Sequence, residues 1–272
     1  MNLLARIIGK FLKHLERWCG FTHLNPLATL YVNLRVLPFS EAMHFPIYAY
    51  GWPRLVDLSG RIRFTCPVRR GLVRLNVVDF APSQRGSALE LAMQGDIVFG
   101  GRALVRSNTK IYVDHGACLT IGDNLRMGAG IIINCLNRIE IGEGVRIGHR
   151  SQLLDSNLHY MLDMNRGRVP SLRKRITVGA HSWLTNSVTV YGGAVVPPYS
   201  VVVSGSVINK DLSDMGQDCI LGGMPCRVIS RGFRLVNNYA KERELDRYYR
   251  ENPDGDYPVE SPLNEDDWFV NK

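Results

Sequence analysis

The chain has 272 residues, 45% of them hydrophobic, enough to bury a full core as one domain with appendages. Its formal charge of +8 is unevenly spread: residues 251–272 hold seven acidic groups and one lysine, which leaves 32 basic against 18 acidic groups in the first 250 residues. A basic body suits an anionic ligand or surface, while the lack of any helix-turn-helix, zinc-finger or aromatic–basic pattern argues against nucleic acid, and six scattered cysteines without a CxxC argue against a zinc site or a disulfide framework.

Near the N-terminus, Leu4, Ile7, Ile8, Phe11, Leu12 and Leu15 form an apolar stripe at helical spacing, with Arg6, Lys10, Lys13 and Arg17 elsewhere on the surface. Residues 1–18 therefore read either as a peripheral membrane contact resting on anionic lipid or as a helix packed on the body or on a neighbouring subunit. The charges interrupt the stripe too often for a secretory signal or a membrane span, and the protein is expected in the cytoplasm, with the inner face of the membrane as its one candidate surface. From about residue 24 to 95 the chain reads as extended and turn-rich, punctuated by Pro26, Pro38, Pro46, Pro53 and Pro67.

Short strands separated by Gly, Asn and Asp turns begin at Ile97–Phe99, followed by Leu104-Val105 and Ile111–Val113. A six-residue rhythm then sets in at Ile121, Met127, Ile133 and Ile139, slips by two, and resumes at Ile141, Ile147 and Leu153. It is strictest at Val178, Leu184, Val190, Val196, Val202 and Ile208. A period of six fits neither a helix nor a two-sided strand. It fits a triangular parallel β-helix, in which each hexapeptide gives one short strand and one corner, and small or Asn residues take corners where φ is positive. At about three hexapeptides per coil, residues 95 to 210 would hold about five or six coils.

The rhythm breaks once, over residues 160–175, YMLDMNRGRVPSLRKR, a polar and basic excursion. A loop thrown out of a strict solenoid is commonly functional. Beyond the repeat, residues 238–250 read as a helix with Leu245, Tyr248 and Tyr249 on one side, stopped by Pro253-Asp254-Gly255, with a mobile acidic tail after it. The expected organisation is an N-terminal helix and extended/β segment over 1–94, a β-helix over 95–232 and a C-terminal helix and tail over 233–272.

Together the repeat, DSNLHYM (residues 155–161), SGSVINKD (204–211) and GGMPCRVI (222–229) resemble the hexapeptide-repeat acyltransferases. These are left-handed β-helix enzymes such as galactoside, maltose and serine O-acetyltransferases; within them the chain looks most like the O-acetyltransferases of bacterial capsule and surface-polysaccharide clusters. The resemblance covers residues 95–232. It implies the left-handed coil, which general crossover rules would not have given. It implies acetyl-CoA as co-substrate without a metal, a sugar hydroxyl as acceptor, and a homotrimer with active sites between subunits. An N-acetyltransferase acting on an amino sugar or sugar-nucleotide, or a catalytically inactive scaffold, would share the same pattern. A γ-type carbonic anhydrase on the same prism would need three zinc-binding histidines, and no third histidine stands in register with His149 and His159.

Thioester-to-hydroxyl transfer needs a general base near neutrality and donors for the oxyanion. Of seven histidines, His159 alone sits where the repeat breaks. That is where the family carries its catalytic histidine, and free imidazole titrates near the required range. His149, inside a regular hexapeptide, reads as a corner residue. Asp155, four residues before His159, is a candidate for orienting its ring; a backbone carbonyl would serve equally. The resemblance further implies acceptor contacts at Asn134 and Asn157. It places the cofactor along Asn186, Gly192, Ser204 and Gly205, and the adenosine phosphates at Lys210 and Arg227. Where the family often has another basic residue, this chain has Ser230, with Arg231 one later.

Overall fold

In the computed structural model, residues 23–78, 88–259 and 264–269 are described. Residues 1–18, read above as a candidate membrane contact, lie outside them. Three sheets of nine, seven and six strands carry the described chain, and strand order in each advances by three in sequence, except at the last two strands of the nine-stranded sheet. Every named strand pair is parallel except the last. Successive strands thus visit the three sheets in rotation, the triangular parallel β-helix expected from the repeat, with the left hand that the family resemblance implies.

The prism begins at Ile47–Ala49, Arg54–Asp57 and Arg61–Phe64, well before residue 95. What changes near 95 is regularity, since each coil thereafter is built from short strands with inward residues six apart. The apparent slip at Ile139 and Ile141 has a simple origin. Strand Arg138–Ile141 is long enough to point both isoleucines inward, so one strand belongs to two hexapeptide series. Corners with positive φ fall on Asn76, Asn108 and Asn124, as expected, but also on Arg150, His181 and Tyr199.

A helix occupies part of the segment expected to be extended. Helix α1, Pro26–Val36, starts at the Asn25 cap with proline in its first turn. It lies against strand Ile47–Ala49, the edge of the nine-stranded sheet. The buried side of this helix seats Val32 and Val36 in the core and also carries Thr29 and Asn33, which bond to the sheet edge. Asn33 gives its Nδ2 to the Ile47 carbonyl (2.7 Å) and accepts from the Ile47 amide (3.1 Å), while the Thr29 hydroxyl accepts from the Ala49 amide (3.0 Å). Side chains thereby replace the missing neighbouring strand. In Asn33→Ala both Ile47 groups lose their partners at a fully buried residue. Denaturant unfolding should show a loss of about 1–3 kcal/mol for each group left unpaired.

At the other end, Cys219–Gly222 pairs with Arg227–Arg231, which turns back antiparallel. Helix α2, Tyr239–Glu251, falls where residues 238–250 read as helical, with Asn238 as its cap. Asn237 and Glu242, beside and within it, hold Arg146, and the Tyr239 ring lies under Arg126 at 4.0 Å. The acidic segment beyond is docked where described, against the expectation of a mobile tail. Trp268 accepts the Asn237 amide through its carbonyl (2.9 Å), and Tyr257 meets the rings of Tyr248 and Trp268 edge-on. No helix among the described residues is long and apolar enough to cross a membrane.

Candidate functional site

Strand Gln152–Leu154 runs in the seven-stranded sheet between Ile132–Cys135 and Thr189–Tyr191. Alternation along it puts Leu153 in, Leu154 out and Asp155 in, and Asp155 is fully buried. The excursion hangs from this residue. Its amide donates to the Asn134 carbonyl (3.2 Å) and its own carbonyl accepts from the Lys174 amide (3.2 Å), so the chain leaves and returns at one point. The Asp155 carboxylate takes amides from the next turn: Leu136 at 2.8 Å, Asn137 and Arg138 at 2.9 Å. Burial pushes its pKa up, and the three amides act against that rise. Both oxygens are thus committed to residues 136–138, and no hydrogen bond joins Asp155 to His159, the partner expected for it.

Past Asp155, the Ser156 hydroxyl accepts the Leu158 amide (3.1 Å) and Leu158 takes a positive φ, a tight turn that throws His159 outward. The ring is exposed and has no hydrogen-bond partner among the described residues. The tip is a small hairpin joined by the Asp163–Arg168 bridge, with Asp163 also accepting the amides of Asn165 and Arg166. On the return limb Arg173 reaches Asp114 at 3.2 Å, and Tyr112 donates to the same carboxylate at 3.0 Å. The excursion is therefore pinned to its own prism at its base. Its apolar side chains Leu158, Tyr160, Met161, Leu162, Met164 and Val169 all face solvent.

A cleft of ≈ 390 Å³ opens between the excursion and the coil edge, lined in part by Ser156, Asn157, Lys174, Tyr191, Gly192 and Asn209. Asn157 stands where an acceptor contact was expected. Gly192 is in the cleft wall for a reason other than a low groove: a Cβ there would lie 2.5 Å from the Asp155 carbonyl oxygen. Asn134 shares an outward row with Tyr112, Leu154 and Tyr191, one strand from Leu154. It adjoins the cleft without lining it.

The expected cofactor residues divide between two corners. Gly192 and Lys210 follow strands Thr189–Tyr191 and Val207–Ile208, at the same corner as Asp155. Asn186, Ser204 and Gly205 lie at the preceding corner, on the opposite edge of the seven-stranded sheet, after Trp183–Leu184 and Val201–Val202. There the Asn186 Oδ1 accepts the His149 amide (2.9 Å), leaving its Nδ2 to donate, and Ser204 is 3.1 Å from the Thr185 hydroxyl. Gly205 has a positive φ, and a Cβ on it would meet nothing within 4 Å. The His149 Nδ1 accepts the Ala129 amide (3.1 Å), which places the proton of a neutral ring on Nε2 and leaves no nitrogen to act as base. At the prism end, burial pushes the Cys226 thiol up, while a backbone hydrogen bond from Arg227 and the Lys210 charge act against that rise. Both cations are exposed. Arg231 is engaged elsewhere, donating to the Met215 carbonyl at 2.6 Å.

No family model matches the chain. Over 155 residues it is 28% identical to galactoside O-acetyltransferase of Escherichia coli K12, covering 56% of this chain and 67% of that protein. Over 122 residues it is 26% identical to a putative acetyltransferase of Saccharomyces cerevisiae, covering 44% of this chain and 59% of the relative. Among solved structures, the polySia-specific acetyltransferase NeuO aligns with a TM-score of 0.44 at 18% identity, over 79% of this chain and 90% of that one.

Proposed function

We propose that this chain is a hexapeptide-repeat acyltransferase that transfers an acetyl group from acetyl-CoA to a hydroxyl of a saccharide, a reading supported by its likeness to galactoside O-acetyltransferase. The observation that carries the proposal is His159: an exposed imidazole, unpartnered among the described residues, at the root of the 160–175 excursion and two residues beyond Asn157 in the cleft wall. Acetyl-CoA, as co-substrate, supplies the acyl carbon as a thioester. His159 takes the proton of the acceptor hydroxyl as its oxygen bonds to that carbon, and returns it to the thiolate when the carbon–sulfur bond breaks. The free Nδ2 of Asn186 is a donor of the type an oxyanion needs. Asn157 and Asn134, on adjoining surface, are suited to hold the acceptor's other hydroxyls.

Asp155 receives a positioning role in this reading. A carboxylate that gathers three amides beneath the departure point of the excursion fixes where His159 emerges, without touching its ring.

The division of the site between two corners supports an assembly. Strands of two to four residues separate those corners by roughly 7–13 Å across the seven-stranded face. A threefold arrangement would set the Asn186–Ser204 corner of one chain against the excursion of the next, covering its exposed apolar side chains. The likeness to galactoside O-acetyltransferase supports a saccharide as the acceptor class.

Measuring thiol release from acetyl-CoA against sugars, amino sugars, nucleotide-sugars and amino acids tests the proposal. Turnover with a sugar hydroxyl supports it; turnover confined to amines, or none, overturns it.

Lys210 and Arg227 suit the anionic end of the co-substrate, where an ammonium and a guanidinium make charge-assisted hydrogen bonds. In Lys210→Ala/Arg227→Ala, acetyl-CoA affinity should fall about tenfold or more, since two such contacts are lost. The loss should be smaller for an analogue lacking the ribose 3′-phosphate. Equal losses for both compounds in calorimetric titration would assign these residues to another part of the molecule.

A further inference from the structure

We infer that the outer face of helix α1 and the short helix after it docks on an anionic phospholipid surface. Leu27, Leu30, Tyr31 and Leu34 stand at i, i+3, i+4 and i+7, one face of the helix, and all four are exposed, Leu27 by 68%. The opposite face seats Val32 and Val36 in the core and spends Thr29 and Asn33 on the sheet edge, so the outward leucines and tyrosine are a second apolar face without cover among the described residues. The following helix, Phe39–Ala42, adds Phe39, 72% exposed, and Met43 just past it. Six large apolar side chains are thereby gathered at the first coil, the end of the prism farthest along the chain from the cleft.

The surrounding charge selects the partner. Residues 23–78 carry seven arginines against Glu41 and Asp57 alone. Arg35 is on α1 itself. Arg69 and Arg70 are held beside the second helix, because the next residue, Gly71, donates its amide to the Phe45 carbonyl. All three are exposed. The twenty-two residues that lead into α1 add four basic groups against one acidic, alongside their own apolar stripe. An apolar face rimmed by guanidinium groups matches the boundary between acyl chains and anionic headgroups, where apolar burial and charge attraction add. A second copy of the chain would bring like charges together at this end and meet repulsion.

The test uses the full chain and co-sedimentation with vesicles of phosphatidylcholine alone or mixed with phosphatidylglycerol. Wild type should partition onto the mixed vesicles and be released as salt rises from about 0.1 to 0.5 M. Leu27→Gln/Leu30→Gln/Leu34→Gln should weaken that partition about tenfold or more, and Arg69→Glu/Arg70→Glu should weaken it while removing most of its salt dependence. These positions are exposed, so melting temperature and soluble acyl transfer should stay unchanged. Undiminished vesicle binding by the triple variant overturns the inference. So does a smaller oligomer by light scattering, which would make the face a subunit contact. A lowered melting temperature with lipid binding intact also overturns it, assigning the face to cover from within the chain.

Discussion

His159→Ala lowers the rate of acyl transfer by about 10²–10⁴, the range for removing a positioned acid–base group, and leaves the chain folded. The exposed ring contributes little packing, so far-ultraviolet circular dichroism and the melting temperature should match wild type. Both kcat and kcat/KM should fall, because the proton is moved in the transition state, while acetyl-CoA affinity is retained. A variant as fast as wild type would remove His159 as the base. His149 would not inherit the role, since its Nδ1 accepts the Ala129 amide.

Asp155→Ala should be the more damaging change to the structure. It strips the acceptor from three amides at once, those of Leu136, Asn137 and Arg138. Each orphaned amide costs about 1–3 kcal/mol where water cannot reach it. Asn137 and Arg138 are exposed residues, so water recovers part of the loss, and about 2–4 kcal/mol in denaturant unfolding is the expected total. Asp155→Asn should rescue only partly, because an amide offers one acceptor oxygen and turns its own N–H groups toward donors. At temperatures where both variants are folded, acceptor KM should rise while acetyl-CoA affinity holds, because the excursion loses its fixed root. An Asp155→Ala protein with wild-type stability and unaltered acceptor KM would show that the carboxylate anchors nothing.

The coil from Ile97 onward was legible because inward aliphatic residues recur at six and nothing else in protein structure repeats so. The earlier coils were not. Ile47, Arg54 and Arg61 begin their strands at intervals of seven, but the next described strands begin only at Val73 and Glu90, which breaks the count. Helix α1 escaped notice for a different reason. Its buried positions include Thr29 and Asn33, so a search for an apolar inner stripe finds the wrong side of it. In the site, the break in rhythm identified the excursion and His159 within it. The spacing of four between Asp155 and His159 suggested a ring partner, whereas the alternation Leu153, Leu154, Asp155 already carried the signal that the carboxylate points inward. The division of cofactor residues between two corners was hidden because a repeat gives each residue its place in a hexapeptide. It does not say which hexapeptides stack above one another once a loop has intervened.

A stack of parallel strands has no intrinsic length, and every coil presents a fresh template for the next. In this chain the nine-stranded sheet is stopped at both ends by different means. At one end Asn33 and Thr29 occupy the hydrogen-bonding groups of Ile47 and Ala49, and at the other Arg227–Arg231 reverses direction and takes the place a further parallel strand would need. That sheet therefore offers no further coil a parallel template at either end: a helix stands at its start and a reversed strand at its finish.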